Sequence, residues 1–423
     1  TSHAAVVARG MGKPCVAGCG AISIDYKNQV FKVAQYTVKR GDIITIDGAS
    51  GEVILGHVPT VNSQLDQYFS ELMKWVDQKR VLGIRANAET PHDVKVARGF
   101  GAEGVGLCRT EHMFFEESRL ILVREMILAD TRSQREAALS KIFPMQKEDF
   151  VSIFREMKGY PVTVRLLDPP LHEFLPKSED EIVHVARLLN TSREALNAKI
   201  RSLHEFNPML GHRGCRLAIS YPEIYGMQVR AIMEAACELV HREEFKIEPE
   251  IMVPFIGTFE EFRILKEEIK EVCEQVLKKY PVKLTYRIGT MIEIPRAALV
   301  ANKIATEADF FSFGTNDLTQ MTLGLSRDDS GSFLPRYIER GIFNVDPFVS
   351  LDQDGVGELV KLGCERGRMG NSNLKIGICG EHGGDTSTIE FCHRLKFNYV
   401  SCSPFRVPVA RLAAAQAALK NKK

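Results

Sequence analysis

The sequence predicts an α/β protein in which a (β/α)8 barrel follows a small β-rich unit. Three observations predict it. From residue 81 onward, short apolar runs alternate with long amphipathic stretches over about 340 residues, the pattern of parallel strands joined by helices. Before residue 57 the texture is different, with short β-like runs punctuated by Gly and Asp. The 423 residues also exceed a single barrel of about 250 by enough for a second unit and insertions.

Element by element, a short helix is expected over 3–9, stopped by Gly10 and Gly12. Strands are expected at 14–17, 29–33 and 43–46, and at 52–55 after the turn 47–51, the last two as a hairpin. Residues 57–81 read as a tether in which 64–79 has helical spacing, with Leu65, Phe69, Leu72 and Val76 on one stripe. The barrel strands are expected at 82–85, 105–108, 162–167, 209–210, 251–254, 287–292, 310–313 and 375–378, with helices such as 178–189 and 258–277 between them.

Composition bounds the function. Apolar residues at 44% and charged residues at 26% exclude a mainly disordered chain. Lys+Arg is 55 against 54 Asp+Glu, so a net charge of +1 gives no electrostatic case for nucleic acid or an anionic membrane. No apolar run approaches the ~20 residues that span a bilayer. The ten Cys are scattered without CxxC spacing, which reads as reduced thiols and a cytoplasmic setting. Thr1 in place of Met, directly before a dense motif, reads as a piece of a longer chain that has lost its upstream part, with any organellar address lost alongside.

The residues just past the apolar runs point to a site. Asn87 and Glu89, Arg109 and Glu111, Arg165 and Asp168, His212 and Arg213, Glu293 and Arg296, Asn316 and Asp317, and Cys379 and Glu381 all stand at the carboxyl end of a run. A barrel brings those ends to one face, where enzymes of this architecture keep their chemistry. Solvation of strand ends would explain two or three such positions, but poorly explains seven.

Each candidate has a plain structural alternative. Arg109 and Arg165, with Arg213 as a possible third, could clamp a small phosphorylated acid through bidentate guanidinium forks, or pair with Glu111 and Asp168. Glu293 and Asp317 are single carboxylates on consecutive strands, the usual provision for Mg²⁺ at a phosphoryl-transfer site, although Asn316 or Asp317 could equally cap a helix. Cys379 in its Gly-rich setting could be a nucleophile, a proton donor or inert packing. His3, opening a helix after two hydroxyl residues, could carry a phosphoryl group at the helix amino end or be a surface histidine. Gly99, Gly101 and Gly104 match the dinucleotide fingerprint, but lie between a helix and a strand, the reverse of the order that places a pyrophosphate. Asn190 heads a glycosylation sequon that nothing else supports.

Six motifs in order carry a resemblance: TSHAAVVARGMGKP at 1–14, GLCRTEHMFF at 106–115, RLLDPPLHEF at 165–174, MIEIPR at 291–296, FGTNDLTQ at 313–320 and CGEHGG at 379–384. Together they resemble the pyruvate, phosphate dikinases of the phosphoenolpyruvate (PEP)-utilising family. Two relatives, PEP synthase and enzyme I of the bacterial sugar phosphotransferase system, match the second, third and sixth motifs less well.

The resemblance implies a C-terminal (β/α)8 barrel of the TIM type, residues 82–423, which binds PEP and pyruvate. It implies a truncated, swivelling β/β/α phosphohistidine domain at 1–56 and a helical linker at 57–81. The implied activity interconverts PEP and pyruvate through a phosphohistidine, with ATP handled by an ATP-grasp region upstream of Thr1. The implied roles are His3 as phosphoryl carrier, Cys379 as proton donor, Arg109 and Arg165 on the phosphoryl and enolate oxygens, and Glu293 and Asp317 on Mg²⁺. Gly314, Thr315 and Asn316 would contact substrate, and a homodimer through the barrel is implied. An enzyme I-like phosphotransferase and a non-catalytic PEP-binding module are the alternative readings.

Overall fold

The computed structural model describes residues 14–26, 28–48, 50–59, 67–243 and 246–420. They belong to two compact units, residues 1–74 and 75–423. In the first, β1 (Ser23–Asp25), β2 (Val30–Val33) and β3 (Tyr36–Lys39) form an antiparallel sheet in that order. The expected hairpin is present as β4 (Ile44–Asp47) and β5 (Glu52–Leu55), with Asp47 already paired to Glu52. Residues 14–17 form no strand. The helix expected over 3–9 lies outside the described residues. The helix Gln67–Lys79 matches the expected spacing, with Val76 buried but Leu72 exposed.

The second unit is a closed barrel of eight parallel strands in sequence order: β6 (Gly83–Asn87), β7 (Val105–Arg109), β8 (Val162–Arg165), β9 (Pro249–Val253), β10 (Arg287–Ile292), β11 (Phe310–Gly314), β12 (Lys375–Cys379) and β13 (Tyr399–Cys402). β13 closes on β6, with Tyr399 beside Gly83 and Cys402 beside Ala86. One expected strand is corrected. Residues Pro208–Leu210 form a single 3-10 turn inside the long β8–β9 excursion, and the eighth strand is β13.

Local sequence explains how the helices are placed. Thr90, Thr131, Ser178 and Thr258 each cap a helix through the hydroxyl, while the acid or amide three residues on reaches back to the cap N–H. This capping box satisfies two otherwise orphaned donors and fixes where the chain turns from loop to helix. The Gly99–Gly104 segment ends the helix Pro91–Gly99 and leads into β7, as its order in the sequence requires. Among the described residues no helix is long and apolar enough to cross a membrane.

Side chains alternate along each strand, so every second residue enters the barrel. At the amino end, Arg85 donates to Glu250 at 2.6 Å, as do Thr163 Oγ1 at 2.6 Å and Lys375 Nζ at 2.6 Å. Arg85 also lies 4.0 Å from the centre of the Tyr399 ring. Above this charged layer Leu107, Met252, Met291, Phe310 and Cys379 form an apolar plug. Two residues beyond Leu107 and Met291, Arg109 and Glu293 stand at the carboxyl end of their strands.

Candidate active site at the carboxyl face of the barrel

A cavity of about 840 Å³ opens at that face. Arg109 and Arg165 are the last residues of β7 and β8, Glu293 follows β10, Gly314 ends β11 and Cys379 ends β12. Thr315, Asn316 and Asp317 form the first turn of the helix Thr315–Leu323. All eight line the one cavity, joined by Asp168 and Arg213. His3 lies outside the described residues.

The charges interlock. Arg109 Nη1 donates to Glu89 Oε1 at 2.8 Å. Arg165 pairs with Glu111, and its Nη1 lies 2.9 Å from Asp168 Oδ2. Arg213 donates to Asp168 at 2.6 and 3.2 Å and to Asp317 Oδ1 at 3.2 Å. The structural alternative therefore holds for these arginines, yet it does not exhaust them. Arg165 Nε, Glu111 Oε2, Glu293 Oε2 and Asn316 Oδ1 are buried with no hydrogen-bond partner within the protein. Buried polar atoms are rarely left so, and four around one cavity mark where a ligand with both acceptor and donor needs would bind.

Burial and neighbouring charge set the protonation. Glu293 is buried, which raises its pKa well above the carboxylate range, and Asp317 and Asp168 raise it further against the pull of Arg165 and Arg213. Its Oε1 is held by the Phe255 N–H at 2.6 Å. Asp168 goes the other way. Burial opposes its ionisation, but Arg165, Arg213 and Arg109 hold its pKa below the usual value. Burial also raises the Cys379 thiol. The thiol therefore stays protonated at neutral pH, which suits a proton donor and not a thiolate nucleophile.

A carboxyl group that neighbouring acids push toward protonation is one that a divalent cation would ionise. Glu293 with its free Oε2, and Asp317 beside it in charge, fit the one or two carboxylates that Mg²⁺ takes alongside substrate oxygens. Among the described residues no group of three or more His, Cys, Asp or Glu is arranged to hold a metal unaided, so substrate oxygens would complete the shell.

Leu107 and Met291 also line the cavity next to the thiol; both stand inside the quoted motifs, but the sequence reading gave them no site role. Strand period was the available signal, since each stands two residues before a strand-end site residue, Arg109 and Glu293. The rim residues Phe206–Met209 were likewise not singled out, and Met209 was read as part of a strand at 209–210.

Gly314 is needed for its lack of a side chain. A Cβ there would stand 2.6 Å from Met291 Sδ and 2.8 Å from Glu293 Oε2, both side chains being buried. Gly314→Ala is expected to weaken binding of oxalate with Mg²⁺ by at least about tenfold, roughly 1.4 kcal/mol, in titration calorimetry. Unchanged affinity would show that the floor has room to spare.

Residues 63–419 match the PEP-binding domain of PEP-utilising enzymes, and residues 1–51 match their mobile domain. The chain belongs to the PEP-utilising enzymes. Among its curated relatives, the pyruvate, phosphate dikinase of Rhizobium meliloti (strain 1021) is 57% identical over 422 residues, covering all of the chain and 47% of that protein. Those of Clostridium symbiosum and Giardia intestinalis are 54% and 53% identical over 422 residues, each covered to 48%. The chain thus spans about half the length of the curated relatives it matches. The parallel barrel is the fold expected of the PEP-binding domain.

Proposed function

We propose that this chain carries the PEP/pyruvate half of the pyruvate, phosphate dikinase reaction. The observation that carries the reading is the convergence of Arg109, Arg165, Glu293, Asp317 and Cys379 on one cavity, with buried polar atoms of both kinds unpaired around it. In the direction of pyruvate formation, a neutral imidazole of His3 attacks phosphorus and the bond from phosphorus to the enol oxygen breaks. Arg109 and Arg165 hold the phosphoryl and enolate oxygens, where charge develops in phosphoryl transfer. Carbon 3 of the enolate then takes the proton of Cys379, and the thiolate regains one from solvent. Gly314, Thr315 and Asn316 shape the wall against which the substrate lies.

Mg²⁺, held by Glu293, Asp317 and substrate oxygens, would supply electrostatic stabilisation of the enolate. The other parts of this reading are a mobile domain at 1–56, a linker at 57–81, the barrel at 82–423, a cytoplasmic setting and a homodimer through the barrel. ATP would be used by a region of the longer relatives that this chain does not span.

The test is release of pyruvate from PEP by the chain. Pyruvate should form only with Mg²⁺ present and stop when a chelator is added. PEP that binds but yields no pyruvate under any divalent cation would leave a binding module in place of an enzyme.

A further inference from the structure

His382 lies three residues beyond the thiol and is wholly buried. Its Nε2 is 2.8 Å from the Pro347 carbonyl oxygen, and its Nδ1 is 2.7 Å from Thr315 Oγ1. A carbonyl only accepts, so Nε2 carries the hydrogen. Burial lowers the pKa of the ring, so the imidazole is neutral and Nδ1 is an acceptor. Thr315 has one hydroxyl hydrogen and must give it to Nδ1. The same hydroxyl lies 3.2 Å from the Cys379 carbonyl oxygen. A single hydrogen cannot serve both acceptors, so the ring decides which way the hydroxyl points.

Three pieces of the site meet at this ring. Pro347 belongs to the excursion between β11 and β12. Thr315 opens the helix that carries Asn316 and Asp317. The turn after Cys379 passes through Gly380 at φ 94°, a left-handed conformation suited to glycine. That turn runs so close to the helix that a Cβ on Gly380 would be 3.0 Å from Asn316 Oδ1. The thiol and the substrate-facing helix turn are therefore registered against each other across a short gap, with His382 as the hydrogen-bonded link.

We infer that His382 is a positioning residue for the proton transfer: by accepting from Thr315 and donating to Pro347, it holds the Gly380 turn so that the Cys379 thiol faces carbon 3 of the enolate. This rests on the PEP/pyruvate reading above and adds a residue to it. A misplacement of about 1 Å at a reacting group costs on the order of 100-fold, so a loose turn would show in the proton-transfer rate before it shows in substrate affinity.

Two variants separate the two bonds. His382→Asn can place an amide oxygen where Nδ1 was and keep Thr315 bonded. His382→Gln can place an amide N–H where Nε2 was, keeping Pro347 and losing Thr315. The readouts are the single-turnover rate of pyruvate formation from PEP with Mg²⁺, and calorimetric affinity for oxalate with Mg²⁺, a planar stand-in for the enolate. His382→Gln should lose roughly 10- to 100-fold in rate with oxalate affinity within about twofold, while His382→Asn stays within about threefold of the unmodified chain.

A wild-type rate in His382→Gln would overturn the inference. So would parallel loss of rate and oxalate binding in both variants, which is what a merely structural histidine gives. If neither variant folds, Thr315→Val replaces them. The Val form should reproduce the rate loss, and an unchanged rate in it overturns the inference. An unmodified chain that makes no pyruvate refutes the parent reading, and this inference falls with it.

Discussion

Cys379→Ala should lower pyruvate formation by on the order of 10²- to 10⁴-fold, the range for loss of a positioned general acid, while leaving oxalate affinity near that of the unmodified chain. The thiol is buried at the end of β12 and lines the cavity beside Leu107 and Met291. Its Sγ–H points to the Phe313 carbonyl oxygen at 3.6 Å, a weak bond that leaves the proton available for transfer. Burial raises its pKa, so the donor form is complete through neutral pH. The rate of the protonation step should be flat there and fall only in alkaline solution as the thiol ionises. On the proposed reading oxalate would be held by charged groups that the substitution does not touch, so its affinity would report on them. A parallel fall in affinity would make Cys379 a packing residue of the apolar plug.

Glu250→Ala should destabilise the barrel by about 3–5 kcal/mol, the usual result of removing one partner from a buried ion pair. Glu250 is fully buried and accepts from Arg85, Thr163 and Lys375. Without it, Arg85 remains in the barrel interior facing the Tyr399 ring and the Thr163 hydroxyl, neither of which carries a full negative charge. Lys375 contributes the weaker half of the network. Its own pKa is lowered because burial and Arg85 outweigh Glu250, and it can turn toward solvent more easily than the guanidinium.

The same network predicts an acid limb. Burial alone would raise the Glu250 pKa, but Arg85 and Lys375 bring it to about 2. A carboxylate depressed on folding adds stability above its unfolded pKa of about 4.3 and loses it as pH falls toward the folded value. The depression corresponds to about 3 kcal/mol. Denaturant midpoints of the unmodified chain should therefore drop between about pH 4.3 and pH 2, and Glu250→Gln should flatten part of that slope. Equal slopes in both would place the acid sensitivity elsewhere.

Much of this was legible in the sequence because the barrel imposes a strong pattern. Strands buried on both faces read as compact apolar runs, and parallel pairing forces a helix between them. The residues just beyond those runs therefore read as belonging to one face, and Arg109, Arg165, Glu293, Asp317 and Cys379 do share a cavity. β13 was missed because it is only four residues long and carries Ser401, whose hydroxyl is buried yet donates to Asn87 at 2.6 Å. A polar residue satisfied inside a barrel looks, in sequence, like one in a loop. β1 and β3 were missed because their faces are largely exposed and show no alternation to read. His382 stands in the CGEHGG motif, but its role gave no signal, since both its partners, Thr315 and Pro347, are distant in sequence.

Whether PEP phosphorylates His3 is decided by the intact-protein mass of the chain after incubation with PEP and Mg²⁺, with pyruvate assayed in the same tube. One phosphoryl adduct is expected, removed by acid, lacking in His3→Ala, and appearing in step with pyruvate. Pyruvate without any adduct, or an adduct that persists in His3→Ala, would refute a phosphohistidine route through this chain.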